Sequence, residues 1–244
     1  MIDRNTMPYG RIAAEGVAIV LSILLAFAID AAWDNHKERQ QERAILTSLA
    51  ADFEDTRGLL AGGIASHERF RDSAKKLLGI LDKDVTVADP ETVDGLLNDV
   101  FVNAKTIEVL NGSLSALFAS GNLDLIENEE LRSLLAAWPS LVDNATEDER
   151  WIVDDVQQRF VPYLNARIPT RNIYRNSSSH RDTMREAIPP RPSTGYEALW
   201  ADAEFDNLVS NRLSNEIFAL EEISILVREV ENIIEQIEIE LLRR

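Results

Sequence analysis

Residues 12–33 read IAAEGVAIVLSILLAFAIDAAW, and the rest of the chain is read differently according to whether this run crosses a membrane. As a helix its 22 residues rise about 33 Å, close to the ~30 Å of a hydrocarbon core. Glu15 and Asp30 confine the charge-free part to residues 16–29. Both acids stand near the ends of the run, where a carboxylate reaches headgroups or water and avoids the ~2.5–3.5 kcal/mol assigned to a charge at the centre. A cleaved signal peptide is the rival reading, because Ala26-Phe27-Ala28 has a small-x-small pattern after a short apolar core. Against it, apolar character continues through Ile29, Ala31, Ala32 and Trp33, and a tryptophan suits the interfacial belt. We therefore expect an N-terminal tail at residues 1–11 and a retained transmembrane helix at 12–33. Arg4 and Arg11 on one side are matched by Lys37, Arg39 and Arg43 on the other, so flanking charge does not choose an orientation. A short N-terminal tail favours a cytoplasmic N terminus, with the remainder of the chain outside.

Working outward, the polar stretch DNHKERQQER continues in helical style into Ile45, Leu46, Leu49, Phe53 and Leu60 at three-to-four spacing, so span and following helix can be one. Gly62-Gly63 is expected to interrupt or bend it. Ile64, Phe70, Ala74, Leu77 and Leu81 then mark a second amphipathic stretch ending near Asp82-Lys83-Asp84. Asp89-Pro90-Glu91 is a helix start, with Asp89 as N-cap and proline at the first helical position. Residues 106–120 read as helix through Val109, Leu110, Leu114, Leu117 and Phe118, closed by Gly121 as a left-handed cap. Asn128 opens another helix with Glu129 and Glu130 in its first turn. Pro139 should kink or break that helix after Trp138, with helix resuming through Leu141, Trp151, Ile152, Val156, Phe160 and Leu164 as far as Pro169.

Residues 169–196, with Ser177-Ser178-Ser179, Pro189-Pro190, Pro192 and Gly195, read as a long irregular loop. Beyond it lie some ten turns of helix with Leu213, Ile217, Leu220, Ile223, Val227, Val230, Ile234, Ile237 and Leu241 on one stripe. The spacing is coiled-coil-like after Val227, but Leu226 and Ile233 widen the stripe toward bundle packing, the preferred reading; self-association through this helix stays open. The expected fold is therefore all-α. One N-terminal transmembrane helix precedes a helical domain at 34–168, an Arg/Pro/Ser-rich loop at 169–196, and a long amphipathic helix at 197–244 that packs on the domain.

The formal charge of −17 argues against nucleic acid, which needs a basic surface to release counterions. With 0 Cys there are no disulfides, thiolate metal sites or cysteine nucleophiles. Residues 34–166 carry 25 acids against 13 bases and residues 193–244 carry 12 against 4, whereas 167–192 hold six arginines against Asp182 and Glu186. That arginine-rich stretch, with Arg171, Arg175, Arg181, Arg185 and Arg191, suits docking on anionic lipid or an acidic protein surface, or compensation of the chain's own acidic helices. Asp30 is a candidate partner contact, weighed against a carboxylate that merely reaches the interface. Together with Trp33, these are the candidate membrane or partner contacts.

Two stretches, VAIVLSILLAFAIDAAWDNHKERQQERAILTSLAADFEDT and TIEVLNGSLSALFASGNLDLIENEELRSLLAAW, resemble an uncharacterised family of bacterial single-pass membrane proteins, a domain of unknown function in which an N-terminal span precedes a helical domain. Ile29-Asp30, Trp33 and the charged linker carry the first likeness; Leu117, Ser120, Gly121, Leu123, Leu125, Ile126, Asn128 and Leu131 carry the second. The resemblance covers under a third of the chain, and Ala31-Ala32 and the arginine-rich loop depart from the pattern. It implies a retained anchor in a bacterial membrane followed by a helical domain, and brings no catalytic residue with it; combined with the N-terminal tail argument, the anchor is expected in the inner membrane with the domain in the periplasm.

His36, His67 and His180 lie far apart, with no second ligand at a metal-binding helical spacing; His67-Glu68 would need distant partners, so a surface or interhelical histidine is preferred. There is no phosphate-binding glycine loop and no nucleophile elbow. We expect no catalytic, cofactor-binding or metal-binding residue, no cofactor, and a membrane-anchored accessory or scaffolding subunit packing against a larger respiratory, photosynthetic or transport complex. The alternative is a membrane-tethered sensor or ligand-binding bundle.

Overall fold

The computed structural model describes residues 9–82, 89–192 and 195–243, and no strand occurs among them. The N-terminal tail as far as residue 8, and Lys83-Asp84 at the expected helix end, lie outside the described residues. Helices run in the order α1 Tyr9–Leu81, α2 Pro90–Phe101, α3 Gly112–Ser120, α4 Glu129–Asp155, α5 Val161–Arg167, α6 Arg171–Arg175, α7 Arg181–Ala187, α8 Glu197–Trp200 and α9 Ala203–Leu242. A 3₁₀ turn at Asn122–Leu125 precedes α4, and a π-helical turn at Val156–Phe160 joins α4 to α5.

The 73-residue α1 is unbroken, so the expected interruption at Gly62-Gly63 does not occur. Two glycines weaken a helix by about 1 kcal/mol each, but packing outweighs propensity. Gly63 serves a different end: a Cβ there would lie 2.5 Å from the Ile107 side chain, which crosses α1 at this point. The first part of α1 is long and apolar enough to cross a membrane, with a window of mean hydropathy 2.2 of which nothing is buried against the domain. It is the one such helix found among the described residues.

From Glu42 onward α1 is the spine of a helical domain. Leu46, Leu49, Phe53 and Leu60 pack with α3, α4 and Ile223 to Ile237 of α9. Ala74 and Leu77 pack instead with α2, Phe160, Tyr163, Ile173, Leu199 and Phe205 to Val209. Because early α1 meets late α9 and late α1 meets early α9, the two long helices are antiparallel. α9 packs within the bundle as expected, but its inner face is not the expected stripe throughout: Ile223, Val230, Ile234 and Ile237 are buried, whereas Ile217 is 40% exposed and the first half turns Phe205, Leu208, Val209, Arg212, Glu216 and Ala219 inward.

The helix starts follow their local chemistry. The Asp89 carboxylate accepts from the Thr92 backbone N–H and hydroxyl, and the Asn128 and Asp202 side chains cap α4 and α9. Gly121, at φ 68°, caps α3 in the left-handed conformation. Pro139 sits inside α4 without ending it. The bond it removes is offset by burial of Leu131, Leu135 and Trp138 on either side. Helix expected from residue 106 begins only at Gly112. Residues 103–111 instead form an extended strap whose backbone is satisfied by side chains: Leu110 exchanges two bonds with the Thr56 hydroxyl, and Ile107 N–H donates to Glu149. Residues 169–196, expected as an irregular loop, contain α6 and α7 and anchor themselves through the buried Ile173.

Candidate functional site

Four charged side chains meet at mid-height of the domain. His67 of α1 faces Glu216 of α9 through Nδ1 at 2.6 Å and Glu149 of α4 through Nε2 at 3.1 Å. Arg212, one turn before Glu216, lies 2.6 Å from its second oxygen and donates to the Asn103 carbonyl of the strap. Its guanidinium also lies over the Phe70 ring, 5.2 Å from the centroid. All four residues are no more than 1% exposed. Burial alone would push the His67 pKa down, yet hydrogen bonds and charge from the two carboxylates together raise it to about 9. The imidazolium therefore donates from both nitrogens at neutral pH and balances the second glutamate left by Arg212. So enclosed, the group joins α1, α4, α9 and the strap as a buried clamp.

Sequence reasoning left this clamp unassembled because its members are 82 and 149 positions apart. A signal was present: His67 continues the buried stripe of Leu60, Phe70, Ala74 and Leu77, and Glu216 that of Val209, Ala219 and Ile223. A charged residue in an apolar stripe needs a partner.

The expected contact residues fall at opposite ends of the molecule. Asp30 and Trp33 stand exposed on the apolar part of α1, Asp30 beside Ile23, Phe27 and Ile29. The arginines lie beyond Leu77, about 65 Å further along the helix axis than Trp33, out of reach of a bilayer holding residues 12–33. There Arg175, Arg185 and Arg191 come together with Asn172, Asn176, Glu91 and Asp94 around an open cleft of about 470 Å³. Arg175 donates to the carbonyls of Arg185 and Ile188. Arg185 pairs with Glu91 and donates to Asn176. Asp94, 3% exposed, accepts from Tyr196 and Asn176; burial holds its carboxyl above the usual range despite these bonds. The side chains of Arg171, Arg181 and Arg191 make no hydrogen bond or ion pair among the described residues, and Arg171 and Arg181 do not line the cleft. Arg167, just before this group, bridges Asp202 and Glu204 and lies over Tyr163. The arginine-rich stretch thus compensates acids of α2 and α9 in part and leaves three guanidinium groups free.

Comparison with protein-family models, curated proteins and solved structures finds no match for this chain.

Proposed function

We propose that this chain is a non-catalytic, membrane-anchored docking or scaffolding subunit, held by residues 12–33 in a bacterial inner membrane with its helical domain in the periplasm and packing against a larger membrane-protein complex. The observation that carries this reading is the unbroken α1, whose first part is apolar and uncovered while its later part is the spine of the domain. One rigid element thereby holds a partner-facing surface at fixed height above the bilayer. The enclosure of the most densely charged group supports a mechanical role for it over a reactive one. Extraction in mild detergent followed by native mass measurement tests the reading: the expected result is a stable complex with a defined second protein, and a lone monomer overturns it.

A second reading, a tethered ligand-binding domain, is favoured by the distal cleft. That cleft is polar and open, unlike the apolar chamber within a bundle that such a domain most often uses. Thermal-shift titration with citrate separates the two. Stabilisation lost in Arg191→Gln supports the ligand reading, and no shift leaves the docking reading standing alone.

A further inference from the structure

Directly outside the buried clamp, on the solvent side of the seam between α4 and α9, Trp151 and Phe218 stand 68% and 56% exposed. Each follows a clamp glutamate, Glu149 or Glu216, by two residues, which is about 200° around a helix, so each points away from the clamp. The two rings line one cleft of about 300 Å³ with Asp148, Asp155 and Asn215. Asp155 is committed to Arg159, at 3.1 and 3.2 Å. Asp148 and Asn215 are half-buried, and neither side chain makes a hydrogen bond or ion pair among the described residues. Two exposed aromatic faces beside a half-buried, uncommitted carboxylate form a poor surface for water and a good one for an organic cation. Exposed Glu147, Asp154 and Glu221 lie on α4 and α9 within one turn of the lining residues, against Arg150 and Arg159, so the balance of nearby charge is negative.

We infer that this cleft is the docking site for an arginine-bearing segment of a partner protein, whose guanidinium lies against the Trp151 and Phe218 rings and pairs with Asp148. Height above the membrane selects this source of the cation. The clamp is level with His67, about 50 Å beyond Trp33 along α1, so a quaternary ammonium headgroup of the same bilayer does not reach it. An arginine segment also suits a cleft between two packed helices, α4 and α9, along which flanking residues of the partner would lie. The inference rests on the docking reading of the whole chain; a chain that docks through another face would fail here and still pass the native-mass test.

The test uses the full chain in detergent and a fluorescein-labelled hexapeptide of sequence Ala-Arg-Ala-Leu-Arg-Ala, read by fluorescence anisotropy at fixed ionic strength. Trp151→Ala, Phe218→Ala and Asp148→Asn are each expected to weaken binding about 2- to 5-fold, as loss of one exposed cation–π or paired contact does. The aromatic variants leave net charge unchanged, so undiminished binding in both marks general attraction to an acidic protein and overturns the inference. Equal binding of the same peptide with citrulline in place of arginine overturns it too. Tetramethylammonium competing as tightly as the peptide assigns the cleft to free organic cations and overturns the protein-partner source. Circular dichroism melts of the three variants, all altered at positions outside the core, confirm that binding and not folding has changed.

Discussion

Two parts of the same helix make an instructive pair. Between Val17 and Trp33, α1 carries Val20, Leu21, Leu24, Leu25, Phe27 and Ile29 all around its circumference and every one is exposed. Between Glu42 and Leu77 it buries only one stripe and presents mainly polar and small residues elsewhere, with Leu59 the exposed large apolar exception. A helix apolar on all sides needs an apolar solvent, whereas a striped one needs a protein face. Nothing in the backbone marks the change, since helical hydrogen bonding runs straight through. The two parts differ in what satisfies them, and perturbations should therefore affect them separately.

The largest expected effect comes from removing the charged centre of the striped part. His67→Ala strands Glu149 and Glu216 with Arg212 alone in a fully buried site, and should destabilise the domain by about 3–5 kcal/mol in urea unfolding. Membrane fractionation should not change. Next comes pH. The His67 pKa is raised from 6.5 to about 9, so the clamp's stabilisation is complete below about 6.5, declines as pH rises, and is lost above about 9. The total is on the order of 3 kcal/mol, and melting temperatures of wild type against His67→Gln should converge toward high pH. Retention of the full difference at pH 10 would remove His67 as the titrating group.

A comparable free energy acts on the other part in Leu24→Arg, which places a charge mid-run. Insertion should weaken by about 2.5–3.5 kcal/mol, read as a shift from the membrane pellet to the carbonate-soluble fraction, with domain unfolding unaltered. A smaller effect is expected at Gly63→Ala. Its new methyl group meets Cγ1 and Cδ1 of the buried Ile107, so that side chain must shift, at about 1–3 kcal/mol in urea unfolding. Stabilisation by this substitution, as helix propensity alone would give, would show that the close crossing is not maintained.

What could be read in the sequence follows the range of each interaction. The caps at Asp89, Asn128 and Gly121 involve partners within four residues, and the expected stripe on α9 matches the buried face from Ile223 onward, though not before it, where Arg212 and Glu216 hold inner positions. These were legible. Gly62-Gly63 and Pro139 do not break their helices, although a break is one local signal there, because the packing around them comes from Ile107 and from the α4 stripe. Residues 106–111 looked helical from their apolar spacing, but Thr56 and Glu149 supply hydrogen bonds that satisfy an extended path. The cluster of arginines was visible by composition; that only Arg175, Arg185 and Arg191 share a cleft depends on how α6 and α7 fold back on α2. Trp151 and Phe218 were hidden for a simpler reason: on paper an aromatic at helical spacing looks like core.

With residues 12–33 held in a bilayer as proposed, the continuity of α1 would make the molecule a lever with its fulcrum there. Transmembrane helices tilt by about 20° on average, and the distal arginines stand about 65 Å from the interface. At that tilt the far end is displaced sideways by about 20 Å, and free precession would let it search a disc of about that radius without any bending of the chain. A modest change in lipid thickness would move the tip further than most side-chain rearrangements could.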